Sequence, residues 1–204
     1  MNRILVCLFA FMSWQVNAEP IENIKCEEYN DQAARNRNPN KVFSKDELLN
    51  LTFKFDVVGY GTEGRVVNTV DEVPVVAIKL NNGWLLGSDK GEWGGSLVYK
   101  SESGEVTIIN DNIEDIYEYD FGYIVVAGLS HMGLNSGSIY LVTETEKGNF
   151  ESMKLHGLPS APQTSWMLEN RSVLINFYQE ASMIFSNKGL LKRVKCINVE
   201  SINN

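Results

Sequence analysis

Three polar stretches of this chain combine carboxylates, a histidine and aromatic rings as a binding or catalytic surface would. They are Ser88-Asp89-Lys90-Gly91-Glu92-Trp93-Gly94, Ser130-His131-Met132-Gly133-Leu134-Asn135 and Phe177-Tyr178-Gln179-Glu180. Asp89 and Glu92 are the residue types that share acid and base roles in glycoside cleavage. Trp93, with Gly91 and Gly94 close by, could offer an open ring face to a sugar or an apolar side chain. Each type also has a plain structural use, since carboxylates form turns and solvated surfaces and a tryptophan closes the end of a small core. The candidate ligand-binding set is therefore Asp89, Glu92, Trp93, His131, Asn135, Tyr178 and Glu180, with no residue assigned to catalysis.

Other chemistries lack their residues. His131 and His156 are the only histidines and do not have the spacing of a zinc site, so no metal is expected. Asp111, Glu114 and Asp115 are acidic but lack the ligand pattern of a calcium loop. No phosphate-binding loop, dinucleotide fingerprint or G-x-S-x-G nucleophile element occurs, and no cofactor is expected.

The elements that must position these residues recur along the chain. Gly95-Ser96-Leu97-Val98-Tyr99 is echoed by Gly137-Ser138-Ile139-Tyr140-Leu141 and by Ala181-Ser182-Met183-Ile184-Phe185, the serines lying 42 and then 44 residues apart. About ten residues before each copy runs a second apolar segment: Trp84 to Leu86, Tyr123 to Val126, Val173 to Ile175. Tight-turn signals precede these segments at Asn81-Asn82-Gly83, Asp120-Phe121-Gly122 and Glu169-Asn170-Arg171. Polar turns follow the serine strands at Ser103-Gly104, Lys147-Gly148 and Lys188-Gly189. Each unit thus reads as four antiparallel strands, with repeats near 70–112, 113–157 and 158–199.

Four strands every 40 to 45 residues resembles the blade of a β-propeller. The resemblance is architectural: the Trp-Asp dipeptide of WD repeats is absent, and the kelch-like doublet Gly94-Gly95 appears in one unit only. It implies an all-β, propeller-like or partial-propeller domain over 51–204, with a β-sandwich as the alternative. On the propeller reading, the loops between second and third strands open onto one face and bring the seven candidate residues together. Asn110-Asp111-Asn112 and Leu158-Pro159-Ser160-Ala161-Pro162 would rim that face. Three blades are fewer than a closed ring needs. The strands from Leu51 to Val67 could supply a further blade joined to the last one, or a second copy could complete the ring as a homo-oligomer.

The N-terminal part differs. Residues 1–18 read as a secretory signal, with Arg3, the apolar run Ile4 to Trp14 and the small-residue site Val16-Asn17-Ala18. That run is too short to span a bilayer, so cleavage near Ala18 and a periplasmic or secreted chain with no stable membrane insertion are expected. Residues 19–50 form a polar segment, with a loop or loose helix over Glu27 to Asn40. A capping box at Ser44 to Glu47 starts a short helix. Leu51, Phe53, Phe55 and Val57 alternate as a half-buried strand, and Gly59, Gly61 and Gly64 predict a flexible turn. Without Cys7, which falls in the signal, Cys26 and Cys196 remain as a disulfide pair tying the N-terminal segment to the end of the last unit.

The formal charge is −8, and loss of Arg3 with the signal makes it about −9. That balance argues against nucleic acid and anionic lipid, and favours a basic protein partner. The expected role is non-catalytic protein binding, of an immunity, inhibitor or envelope-scaffold kind. Sugars are the alternative ligand, bound or cleaved, and a subunit of a ring-like assembly is a third reading.

Overall fold

The computed structural model describes residues 21–197 apart from Glu27 and Glu63. The expected signal, residues 1–18, lies outside them. The described chain is all-β with two short helices and a 3-10 turn. It begins with β1 (Glu22–Lys25), α1 (Asp31–Arg37), β2 (Lys41–Val42) and α2 (Lys45–Leu48). Asn30 starts α1 by accepting a hydrogen bond from the Ala33 amide at 3.1 Å, and Asp31 and Arg37 sit at the ends that the helix dipole favours. Ser44 occupies the N-cap position of α2, as the capping box predicts, but its hydroxyl makes no capping bond. Backbone bonds from Leu48 and Leu49 to Ser44 and Lys45 close this single turn instead.

Next comes the hairpin β3 (Phe53–Gly61) and β4 (Gly64–Glu72). The predicted alternation holds at its start, where Phe53 and Phe55 are buried while Lys54 and Asp56 are exposed. The chain turns between Gly61 and Gly64 as expected, but more tightly, because Gly59 lies within β3. The strands run through Gly59 and pair as far as Gly61 with Gly64, since ladder bonds use only the backbone, which glycine has in full.

Three four-stranded antiparallel meanders follow in chain order. The first holds β5 (Val76–Leu80), β6 (Gly83–Asp89), β7 (Gly95–Ser101) and β8 (Gly104–Ile109), with β2 added beside β5. The second holds β9 (Ile113–Tyr119), β10 (Gly122–His131), β11 (Leu134–Glu144) and β12 (Phe150–Leu158). The third holds β13 (Thr164–Met167), β14 (Val173–Asn176), β15 (Met183–Phe185) and β16 (Leu191–Ile197). β1 lies parallel to β16 with Ile24 opposite Cys196. The Cys26–Cys196 disulfide, Cα atoms 5.3 Å apart, fastens that edge across 170 residues of chain.

Packing explains why the second strand of each unit is an unbroken apolar run. Leu85 faces a core shared with the second sheet, whereas its neighbour Leu86 packs with Phe53 and Phe55 of the hairpin. In β10, Val125 joins the core shared with the first sheet and Val126 the core shared with the third. In β14, Ile175 faces the second sheet while Leu174 packs near Ile24, Cys26 and Val194. A strand covered on both faces needs apolar side chains at every position. The β3–β4 hairpin therefore lies against the first sheet and is not joined to the last one, where β1 sits instead.

The polar N-terminal segment is a hub. β2 pairs with β5, and Lys41 bonds the Asp115 carboxylate in β9. Asn40 donates to Glu118, and Arg37 donates to the Met167 carbonyl in β13. Arg171 completes the junction by donating to the Glu118 and Arg37 carbonyls with its guanidinium 5.1 Å from the Tyr119 ring. The first strand of every meander thus meets residues 37–42. Among the described residues no helix is long and apolar enough to cross a membrane.

Candidate functional site

The loop from β6 to β7 is held by its own backbone and by one buried asparagine. The Asp89 carboxylate accepts the Gly91 amide at 2.8 Å, and the 3-10 turn Gly91–Trp93 closes with Lys90 N bonded to Gly94 O at 3.0 Å. Asn112, on the connection from β8 to β9, accepts from Lys90 N and donates to Gly91 O, at 3.1 and 2.9 Å. The Asn112 carbonyl also accepts the Gly128 amide of β10. One side chain that the next unit brings alongside thus fixes the loop of the unit before it.

The repeated glycine before each serine belongs to this arrangement. A Cβ on Gly95 would stand 2.3 Å from Ser88 O and 2.7 Å from the Asn112 Cα. A Cβ on Gly137 would stand 2.6 Å from Ser160 O, on the equivalent connection from β12 to β13. Both glycines let the connection to the following sheet cross close over the serine strand. The third unit has no following meander, and the position is Ala181.

The fixed loop meets the tip of β10–β11. His131 Nε2 lies 2.7 Å from Glu92 Oε2, with both side chains partly exposed, so the pair orients the loops more than it stabilises the fold. The tip is a two-residue turn, shorter than the six-residue loop expected from the sequence, because the strands pair up to His131 and Leu134. Met132 and Gly133 both have positive φ, as a type I′ turn requires, and Met132 holds φ 43° with its side chain 92% exposed. A bulky residue in that conformation costs about 1–2 kcal/mol and commonly marks a functional position. Register places Leu129, His131 and Leu134 on one face of the ribbon. Trp93 and Leu134, both mostly exposed, flank the Glu92–His131 pair.

Beside Trp93 opens a groove of about 550 Å³. Trp93, Asp111, Leu129, Lys54, Asp56 and Glu105 are among the residues that line it. Its polar side chains are engaged: Asp111 accepts from Tyr140, Asp56 from Thr69, and Lys100 bridges to Glu105 at 3.2 Å. At the inner side of the loop, burial and the nearby Asp115 and Asp89 carboxylates push the Glu114 carboxyl up to about 7. Burial, together with the neighbouring Asp115 carboxylate, holds the Tyr117 phenol well above its usual range.

The structure thus brings Asp89, Glu92, Trp93 and His131 together. Asn135 takes a positioning role, its carbonyl oxygen accepting the Ala161 amide at 2.7 Å. Among the described residues no hydrogen bond or ion pair joins Tyr178 or Glu180 to that group; Tyr178 is exposed, and Glu180 lines a different groove with Ile21 and Lys195. The hairpin's contribution, Lys54 and Asp56, is absent from the sequence reading because nothing local in β3 shows which sheet it covers. Among the described residues no group of three His, Cys, Asp or Glu side chains could hold a metal ion.

Comparison with protein-family models, with curated proteins and with solved structures returned no match.

Proposed function

We propose that this chain is an exported binding protein that engages a protein partner through the face built by the β6–β7 and β10–β11 loops. The observation that carries this reading is the exposure of Trp93, Met132 and Leu134 around a loop pair locked by Asn112 and by Glu92–His131. Exposed aromatic side chains anchor protein interfaces, and flexible methionine side chains adapt to a partner's surface. The acidic balance of the chain favours a basic partner, and a partner of inhibitor, immunity or scaffold relationship fits a small exported chain. The meeting of all three first strands on residues 37–42 supports a partial propeller-like arrangement, in which the second-to-third strand loops share one end.

Affinity capture from periplasmic extract with the tagged protein, followed by a binding measurement with the purified partner, tests this. Trp93→Ala and Met132→Ala should each weaken binding, Trp93→Ala by about 30-fold or more as befits an interface anchor. A partner bound equally well by both variants sinks the reading. Glycan binding is the second reading, favoured by Trp93 standing beside a groove rimmed with polar side chains. Retention on a glycan surface that is lost with Trp93→Ala, together with no protein captured, would select it.

A further inference from the structure

The outer edge of β4 is an open strand. β4 pairs only with β3, and among the described residues no hydrogen bond engages its outward backbone groups. Gly64 to Asp71 are all exposed, including Val66, Val67 and Val70. A two-stranded ribbon is marginally stable in water by itself, and open edges are normally blunted by bulges, prolines or lysines. β4 has none of these: its nine pairs with β3 run without a register shift, and its sequence is Gly-Arg-Val-Val-Asn-Thr-Val-Asp-Glu. Three other outermost strands differ: β8 and β12 pair with their neighbours through an irregular register, and on the free side of β3 the Lys54 amide donates to the Glu105 carboxylate at 2.7 Å.

We propose that β4 pairs antiparallel with β4 of a second copy of this chain, about a two-fold axis at Asn68. A two-fold pairing keeps each face of the sheet continuous, so opposed residues must come from the same face and their numbers must sum to an even value. Of the near-central registers that satisfy this, only the one centred on Asn68 sets Arg65 against Asp71, twice by symmetry. The same register sets Val66 against Val70 on the opposite face and Gly64 against Glu72, with no like charges opposed. Asp71 already holds Lys54 at 2.7 Å across the hairpin, so Arg65 of the second copy would complete a cation–carboxylate–cation row. The result is a four-stranded sheet in which Val66 and Val70 of both copies lie on the face that carries Phe55, with Val67 on the opposite face.

Sedimentation velocity on protein purified after expression of the full chain, from low to high micromolar concentration, tests the pairing. A monomer–dimer equilibrium is expected, and Arg65→Glu should weaken it by about tenfold or more because two attractive pairs become repulsive. Cysteine variants read the register. Asn68→Cys should form a crosslinked dimer on mild oxidation; Val66→Cys and Val70→Cys should not do so singly, but should crosslink when mixed. A chain that stays monomeric throughout overturns the proposal. A dimer indifferent to Arg65→Glu, or one that crosslinks through Val66→Cys alone, overturns it equally.

Discussion

The ribbons β10–β11 and β3–β4 are built alike, each with nine consecutive antiparallel pairs, yet they meet opposite surroundings. In β10, Ile124 to Ala127 are fully buried, because one face packs on the first sheet and the other on the third. In the hairpin, Phe53 and Phe55 are buried and Val57 packs beside them, whereas Val58, Val66 and Val67 are exposed. Pairing is thus the same in both and stability is not, since ladder hydrogen bonds exchange for bonds to water while apolar burial does not. The middle of the molecule is held by stacking, and the hairpin is free to be used elsewhere.

The largest expected effect follows from that contrast. Ile124→Ala should lower unfolding free energy by about 3 kcal/mol, the usual cost of removing a fully buried branched side chain. Val67→Ala should change it by less than about 0.5 kcal/mol when measured at a concentration low enough for monomer. Denaturant titration of both variants checks the pair. Equal losses at the two positions would break the comparison and show that the hairpin is as firmly packed as the central sheet.

The glycines sharpen the same contrast at the loop face. Gly95→Ala should cost about 2 kcal/mol, because the new methyl group meets backbone at Ser88 and Asn112 that cannot move aside easily. Gly59→Ala in the hairpin has nothing within 4 Å of the added atom and should be close to neutral. Hydrogen exchange at Lys90 should accelerate in Gly95→Ala, since its amide is shared between the Gly94 carbonyl and the Asn112 side chain, both displaced by the added methyl group. Unchanged exchange there would mean that Asn112 does not hold the loop in solution.

Much of this architecture was legible in the amino-acid order, and the physical reason is burial on both faces. Leu85-Leu86, Ile124-Val125-Val126 and Val173-Leu174-Ile175 are apolar without a break, and glycine-containing turns punctuate them at steady spacing. The pairing of Cys26 with Cys196 followed from the expectation of export and the two cysteines that it leaves. The hub was not legible. Lys41, Asn40 and Arg37 look like solvated polar residues until Asp115, Glu118 and the Met167 carbonyl, each more than 70 residues away, are brought beside them. The site was half legible. Loops one and two meet because a further sheet stacks behind each of the first two units and its connection pins the loop. Behind the third sheet the chain instead returns to β1, so Tyr178 and Glu180 have no counterpart of Asn112 to hold them near the others.

The smallest effect concerns Glu114, which carries charge into the junction between the first two sheets. Its folded-state carboxyl is raised to about 7 from 4.5, by burial first and then by Asp115 and Asp89, with Lys41 opposing. Below about pH 4.5 both the folded and the unfolded chain carry this proton, and the residue costs nothing. Between about 4.5 and 7 the unfolded chain releases the proton while the folded chain retains it, so stability falls as pH rises. Above about 7 both are ionised and the loss is complete. The residue is half-buried, so the loss should be on the order of 1–2 kcal/mol rather than the full value of the shift. Glu114→Gln should therefore be more stable than the parent chain at pH 8 by that amount and nearly equal to it at pH 4. A difference between the two proteins that is constant across this range would mean that Glu114 ionises freely. The inner side of the loop face would then be as wet as the hairpin.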